Sequence, residues 1–454
     1  MRLTGWLLNG LYLLGLAFCS PWILWSAVRH GKYREGFAAK LLGQVPRRKG
    51  DRACVWLHAV SVGEVNLLAT TLAELHARGG ELDVVISTTT KTGYDLARRK
   101  YAQQTVFYCP LDFSWAVRRA MRRMRPELLV LAELELWPNL IVAARKYGAR
   151  VAIINGRLSD NSLRGYRRLR PLVAAVLVQL DLVAAQDQQT ADRFRELGAD
   201  PRSVQVTGSL KFDGAQTDRD NSKTCELRAL ASIALEDQVL LAGSTQHPEE
   251  ADAVSIFEKL SVEFPRLRLI LVPRHPQRFA EVATLLDRTG VAWQRRSMLG
   301  QPVESHTEIV PSRDQASRSV PRILLVDTVG ELAAWWGAAT IGLVGGTFGS
   351  RGGQNMLEPA AYGVATCFGP NTWNFRDIVA QLLAVDGAAA VRDRDELERF
   401  IRRALEDPAW SSQMGGRGRD LVLAQQGATR RTVDLLLPLL SSTAKAPNGE
   451  RHAA

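Results

Sequence analysis

The sequence is poor in cysteine, with five in 454 residues, at positions 19, 54, 109, 225 and 367. None stands in a CxxC or CxxH spacing, which argues against a zinc cluster and against a disulfide framework. No P-loop and no GxGxxG spacing occurs, so the two commonest phosphate-binding signatures are missing. An internal sequence repeat is absent as well. With 46% hydrophobic and 23% charged residues the chain has globular composition, which excludes a largely disordered or fibrous protein. Its length is too great for one ordinary domain and fits two of roughly 150–200 residues.

Charge is present and unevenly placed. The net +11 invites a nucleic-acid partner, yet residues 1–215 hold 31 basic and 18 acidic side chains, and the remainder 27 and 29. The basic excess is therefore +13 in the first half, against −2 in the second, so one half is built to meet something anionic. Arg118, Arg119, Arg122, Arg123 and Arg125 share one expected helix but come with no nucleic-acid recognition motif. A solvated or membrane-facing helix is the better reading, and no nucleic-acid partner is expected.

Trp6–Val28 carries no charge over 23 residues, long enough for a hydrocarbon core of roughly 30 Å. Trp6, Trp22 and Trp25 suit the interface, and Arg29, Lys32, Arg34, Lys40, Arg47, Arg48 and Lys49 follow. The positive-inside rule then places the rest of the chain on the cytoplasmic side of the membrane. A cleaved signal peptide is opposed by that basic flank. Asn9 and Pro21 weaken a straight span, which keeps an interfacial helix open as an alternative.

Beyond this anchor, short apolar runs alternate with helical stretches. Cys54–Val60, Leu82–Ser87, Leu128–Leu131 and Val151–Asn155 are expected strands, and so are Val239–Ala242, Leu267–Val272, Arg322–Val326, Ile341–Val344 and Ala365–Phe368. The fold class is α/β, with two Rossmann-like, doubly wound domains facing a cleft. The expected division is 1–29 as membrane anchor, 30–213 as acceptor-side domain, 214–440 as nucleotide domain and 441–454 as a tail. Residues 296–321, rich in Ser, Pro, Thr and Arg, read as an exposed loop.

Chemistry-bearing residues fall after the strands. Glu64 follows a strand and a Gly turn at the start of a helix expected near Val65, placed to act as a general base or simply to cap that helix. Glu133 and Glu135, two apart in an extended stretch, would face the same way; an ion pair with Arg157 is the structural alternative for one of them. Lys211 lies in a Gly/Ser turn where the first half ends. In the second half the turns after strands carry Gly243-Ser244-Thr245, Pro273-Arg274-His275, Asp327-Thr328-Val329-Gly330-Glu331 and the run Gly345–Ala360. Five glycines and Arg351 precede a helix expected near Asn355, where backbone N–H groups and the helix dipole would cradle a phosphate. Glu358, one turn in, is placed to grip a ribose diol. These loops together favour nucleotide binding, and with the basic half and the anchor they suggest a glycosyltransferase acting on a lipid.

At these residues the sequence resembles the Kdo transferases, which move 3-deoxy-D-manno-octulosonic acid (Kdo) from CMP-Kdo to the lipid A precursor (lipid IVA) in lipopolysaccharide synthesis. HAVSVGE, ELELWPNL, NGRLS, TGSLKFD, LVPRHPQRF, DTVGEL, GGQNMLEP and GPNTWNFRDI occur in family order, from the anchor to about residue 435. The resemblance implies a GT-B fold, inner-membrane attachment, inverting transfer and no metal or other cofactor. It also implies that Glu64 is the catalytic base and that Glu133 and Lys211 stabilise the transition state. Pro273, Arg274, Val329, Gly330, Glu331, Asn355, Met356, Leu357 and Glu358 take the positions of the CMP contacts. Gln354 and Met356 depart from the family's usual GGHNPLEP, which implies altered donor affinity. A membrane-associated GT-B enzyme using a UDP-sugar is the alternative, and an inactive relative a further one.

Overall fold

The computed structural model describes residues 2–30, 35–300 and 321–443. The chain forms two compact units, one running to Gly214 and taken up again from Gln425, the other Ala215–Ala424.

Seven strands build the first unit's sheet: β1 (Ala53–His58), β2 (Leu82–Thr88), β3 (Thr105–Tyr108), β4 (Leu128–Ala132), β5 (Arg150–Gly156), β6 (Leu182–Ala185) and β7 (Val204–Val206). All neighbours are parallel, in the order β3-β2-β1-β4-β5-β6-β7. The order reverses between β1 and β4, which opens a crevice beyond their carboxyl ends. Helices cover both faces, and that is why β4 reads Leu-Leu-Val-Leu-Ala with every residue buried instead of alternating.

The second unit repeats the plan with β8 (Gln238–Thr245), β9 (Leu267–Pro273), β10 (Trp293–Arg295), β11 (Ile323–Leu325), β12 (Ile341–Val344), β13 (Ala365–Phe368) and β14 (Ala389–Ala390). The order is β10-β11-β9-β8-β12-β13-β14, again parallel, with its reversal between β8 and β12. All nine expected strands are present. Five more were not foreseen, and four of them (β3, β7, β10 and β14) are short edge strands.

The division at 214 is close to the expected one, but the chain's end is not. Helix Pro408–Gln425 closes the second unit, whereas helix Ala428–Thr443 belongs to the first. The reason is its apolar stripe: Val433, Leu436 and Leu440 pack with Leu57, Val65, Leu68 and Leu75 in one core. Arg431 donates to the Thr207 carbonyl at 2.8 Å, and the Gly427 N–H donates to Asp213 at 2.6 Å. Residues 441–443, read as tail, continue this helix, and 444–454 lie outside the described residues.

One helix, Arg2–His30, covers the expected anchor. Its 29 residues extend about 43 Å at about 1.5 Å per residue, long and apolar enough to cross a membrane. Its apolar side chains are mostly uncovered, Phe18 at 88% exposure, yet Asn9 is buried. Asn9 Nδ2 donates to Ser114 Oγ at 2.7 Å, the Ser114 N–H donates back to Asn9 Oδ1 at 3.0 Å, and the Tyr12 hydroxyl donates to Asp112 at 3.1 Å. Asn9, foreseen as a weakness in a straight span, ties the helix to the first unit. Lys32 and Arg34 of the basic flank lie outside the described residues. Arg48 is consumed internally, bonded to Asp83 at 2.8 Å and to the Met124 carbonyl.

Candidate active site

The chain leaves β1 at His58, turns through Ala59-Val60-Ser61 and enters helix Val62–Arg78, which starts three residues earlier than expected. Ser61 caps the helix by accepting from the Glu64 N–H, and its own hydroxyl donates to Glu64 Oε1 at 2.7 Å. Glu64 Oε2 accepts from the Val60 N–H at 2.8 Å. This is a capping box, so the capping alternative describes these bonds correctly. The carboxylate accepts from the Val60 N–H and from both the hydroxyl and the N–H of Ser61, against about four lone-pair sites that a carboxylate offers. Burial foremost pushes the Glu64 carboxyl above its usual value; the Val60 and Ser61 bonds oppose this, and the Glu133 charge adds to it. A carboxylate of raised pKa is a stronger base, which suits proton abstraction.

Glu133 follows β4, on the other side of the strand reversal. Its N–H donates to the Ile154 carbonyl at 2.9 Å, and its backbone is left-handed, with φ 56°. An L residue is held in that region only where the surroundings over-determine it, at a cost of roughly 1–3 kcal/mol. The extended 133–135 geometry expected from the sequence is therefore absent, and the two side chains go to different partners. Glu133 Oε1 lies 3.9 Å from Lys211 Nζ. Glu135 Oε2 accepts from the Trp137 indole N–H at 2.7 Å. Burial, reinforced by the charges of Glu64 and Glu133 and opposed by Trp137, pushes the Glu135 carboxyl up to about 7.

Asn155 positions Lys211. Buried at the end of β5, with φ 53°, Asn155 accepts through Oδ1 from the Leu210 N–H at 3.0 Å and from Ser209 Oγ at 3.4 Å. The loops after β1, β4, β5 and β7 thus bring Glu64, Glu133 and Lys211 together. His58 lies beneath them: its Nδ1 is 2.8 Å from Ser87 Oγ, and its ring meets Trp137 edge-on at 5.9 Å. Complete burial pulls its pKa down to about 4, so the ring is neutral and acts as a wall. Trp137, Asn155 and His58 were not among the expected site residues, whereas Glu135 was foreseen only as the partner of Glu133. The Trp-Pro that starts helix Pro138–Lys146 and the Asn-Gly that ends β5 were the available signals.

In the second unit, Gly345 and Gly346 follow β12. A Cβ on Gly345 would fall 2.6 Å from the Ser244 carbonyl oxygen, so this turn admits only glycine. The N–H groups expected to cradle a phosphate are already occupied. Those of Gly346, Thr347 and Phe348 donate to buried Glu249 at 2.8, 2.9 and 3.1 Å, as does that of Gln246 at 2.9 Å. The helix expected near Asn355 is a short one, Leu357–Ala361, which leaves little dipole.

Arg274 follows Pro273, the last residue of β9, with its N–H on the Thr245 carbonyl at 3.0 Å and its side chain exposed. Glu358 Oε1 accepts from Asn355 Nδ2 at 3.0 Å. Burial raises the Glu358 carboxyl, while Asn355 and the Arg274 charge lower it, which brings Arg274, Asn355 and Glu358 into one group. Met356 and Leu357 turn their side chains inward, at 0% and 2% exposure, so only their backbone can meet a ligand. The Val329–Glu331 turn is braced separately. Arg296 grips Glu331 with bonds of 2.9 and 2.8 Å, and Thr328 Oγ1 donates to it at 2.7 Å. Gly330, at φ 98°, and exposed Val329 form its outer surface. Arg296 and Ser297, read as loop, are thereby docked on Glu331 and Asp327, while 301–320 lie outside the described residues.

Two doubly wound parallel sheets, one with a carboxylate cluster at its strand reversal and the other with glycine-rich turns, define a glycosyltransferase of GT-B type. UDP-GlcNAc 2-epimerase from Neisseria meningitidis, bound to UDP-GlcNAc, shares the fold with a TM-score of 0.56 at 14% identity, over 85% of this chain and 100% of that one. A family model described as 3-deoxy-D-manno-octulosonic-acid transferase (kdotransferase) matches residues 32–214. The 3-deoxy-D-manno-octulosonic acid transferase of Bordetella pertussis is 34% identical over 446 residues, covering 94% of this chain and 98% of its own. That of Haemophilus influenzae is 30% identical over 436 residues, covering 94% and 97%. The chain belongs to the 3-deoxy-D-manno-octulosonic acid transferase family and is a Kdo-transferring glycosyltransferase.

Proposed function

We propose that the enzyme transfers Kdo from CMP-Kdo to a sugar hydroxyl of the lipid A precursor lipid IVA, with inversion and without a metal or redox cofactor. The observation that carries this reading is the grouping of Glu64, Glu133 and Lys211 at the strand reversal of the basic unit. Glu64 takes the proton of the acceptor hydroxyl, whose oxygen forms the new bond to the Kdo anomeric carbon as the bond to the CMP phosphate breaks. Glu133 and Lys211 act on charge that develops around that carbon. Arg274, Asn355, Glu358 and the backbone at Met356 and Leu357 hold CMP, with the outer face of Val329–Glu331 as a further contact. Holding both substrates in line supplies much of the rate.

The anchor helix and the +13 of residues 1–215 fit attachment to the anionic face of the inner membrane, with both units on the cytoplasmic side. Incubation with a CMP-Kdo generating system and tetraacylated lipid A precursor, followed by mass spectrometry of the lipid, tests donor and acceptor together. A gain of one or more Kdo masses supports the reading. Turnover with a UDP-sugar and an unchanged lipid with CMP-Kdo would overturn it.

A further inference from the structure

Arg219 carries its charge into the second unit with no carboxylate to meet it among the described residues. Its Nε–H donates to the Tyr362 carbonyl at 2.6 Å and one terminal nitrogen donates to the Gly337 carbonyl at 3.4 Å. A guanidinium has five N–H donors in a planar fork, so this arrangement leaves capacity unused. The charges nearest to it are chiefly of its own sign. Burial foremost, then the guanidinium charges of Arg228 and Arg419, pull its pKa below the usual arginine value, with Tyr362 and Asp220 opposing. Neither Arg228 nor Arg419 forms an ion pair among the described residues.

The three arginines come from separate parts of the chain. Arg219 precedes helix Ser222–Leu230, Arg228 lies in that helix's last turn, and Arg419 lies on helix Pro408–Gln425. Arg419 runs across the same turn that Arg219 holds: a Cβ on Gly363 would stand 3.7 Å from Arg419 Cδ. Beside Arg219 opens a cavity of about 300 Å³, lined among others by Thr340, Gly363, Ser411 and Ser412. Ser411 and Ser412 lie near the start of helix Pro408–Gln425 and offer hydroxyls to the cavity; the N–H groups there are largely taken, since Pro408 has none, the Trp410 N–H donates to the Asp407 side chain at 2.9 Å and the Ser411 N–H to the Asp407 carbonyl at 3.1 Å. Thr340 immediately precedes β12, so the cavity lies at the amino end of the sheet, opposite the turns that bear Arg274 and Asn355.

Like charges converging on a recess with hydroxyl groups are balanced by a bound anion, and guanidinium forks match phosphate oxygens. We propose that this cavity is a second anion site, separate from the donor site, that takes a phosphate group, either free phosphate or the phosphomonoester headgroup of a membrane lipid. Arg219 lines the cavity itself, and Arg228 and Arg419, which do not line it, add their charge through their nearness to Arg219.

The test uses the full chain in detergent, saturated with CMP so that the donor site is filled, and titrates orthophosphate calorimetrically. A double variant, Arg228→Gln with Arg419→Gln, spares the Arg219 bonds to Tyr362 and Gly337 and so keeps the fold; its melting temperature without phosphate checks this. The expected result is binding of one phosphate per chain, weakened at least tenfold in the variant, with a phosphate-dependent rise in melting temperature seen only in the parent. No binding, equal binding by the variant, or binding lost whenever CMP is present would overturn the proposal. Vesicle flotation identifies the source. A preference for phosphatidate over phosphatidylcholine vesicles that is lost in the variant and competed by orthophosphate assigns the lipid headgroup, whereas flotation unchanged by the variant assigns soluble phosphate. Should CMP itself fail to bind, the donor reading falls, and the titration of the free protein still decides the second site.

Discussion

Lys211 Nζ stands 3.9 Å from Glu133 Oε1, on a loop that Asn155 steadies by accepting from the Leu210 N–H at 3.0 Å. The pair joins two loops far apart in sequence, one after β4 and one after β7. A carboxylate and an ammonium at this distance form a loose pair.

Replacing Lys211 by Met is expected to lower kcat by roughly 10²-fold or more with little change in the affinity for CMP, since a charge acting on the transition state supplies about 3 kcal/mol. Glu133→Gln should behave alike. In the double variant the losses should add to less than their product, because the two side chains act as a unit. Steady-state kinetics on the three variants checks this; full additivity would separate their roles.

Asn155→Leu is a test of positioning. It removes the acceptor for Leu210 N–H and places a residue at φ 53° that resists the left-handed region. The fold should lose about 1–3 kcal/mol and kcat should fall, while Asn155→Asp, which keeps the acceptor oxygen, should recover part of the rate. Denaturant unfolding and kinetics together read both effects.

The acid limb of kcat/KM should lie above the ordinary glutamate range, because burial raises Glu64 and the Glu133 charge adds to it. Activity is lost as pH falls through that raised value and Glu64 takes up a proton. Glu133→Gln removes that charge, so the limb should move to lower pH. A Glu135 variant reports on stability. A carboxyl raised in the fold to about 7 binds its proton more tightly folded than unfolded. Its stability contribution is therefore full below the unfolded value and declines as pH rises through about 7. Glu135→Gln should accordingly stabilise the protein at pH 8 more than at pH 5, read as the difference in melting temperature.

Glu249→Ala should disable the second unit without touching CMP. It leaves the N–H groups of Gln246, Gly346, Thr347 and Phe348 without their buried acceptor. With hydrogen bonds to a charged group at about 1.5–3 kcal/mol each and partial relaxation, a loss of at least about 3 kcal/mol is expected. CMP binding should weaken along with the melting temperature, and calorimetry measures both.

Nine strands were legible because parallel strands covered on both faces read as unbroken apolar runs such as Leu128–Ala132. β3, β7, β10 and β14 were not, since edge strands of two to four residues bury too little to leave a pattern. The candidate-site motifs were legible as residues after strands, and the side chains of Glu64, Glu133 and Lys211 lie near one another. What local reading missed was set by tertiary partners. The glycine-rich run looked like a phosphate cradle, but Glu249, nearly a hundred residues earlier, fills it. Glu133 and Glu135 looked parallel until a left-handed residue separated them. The return of Ala428–Thr443 to the first unit depended on which apolar surface was left open, which no local window shows.

The central claim is that proton abstraction belongs to Glu64 on the first unit while donor binding belongs to the second. The most direct measurement is kcat of Glu64→Gln beside its CMP dissociation constant. Gln can keep the bond from the Val60 N–H, so the helix cap survives in part. The account predicts a fall in kcat of about 10²–10⁴-fold with CMP affinity unchanged. Turnover close to that of the parent would contradict it.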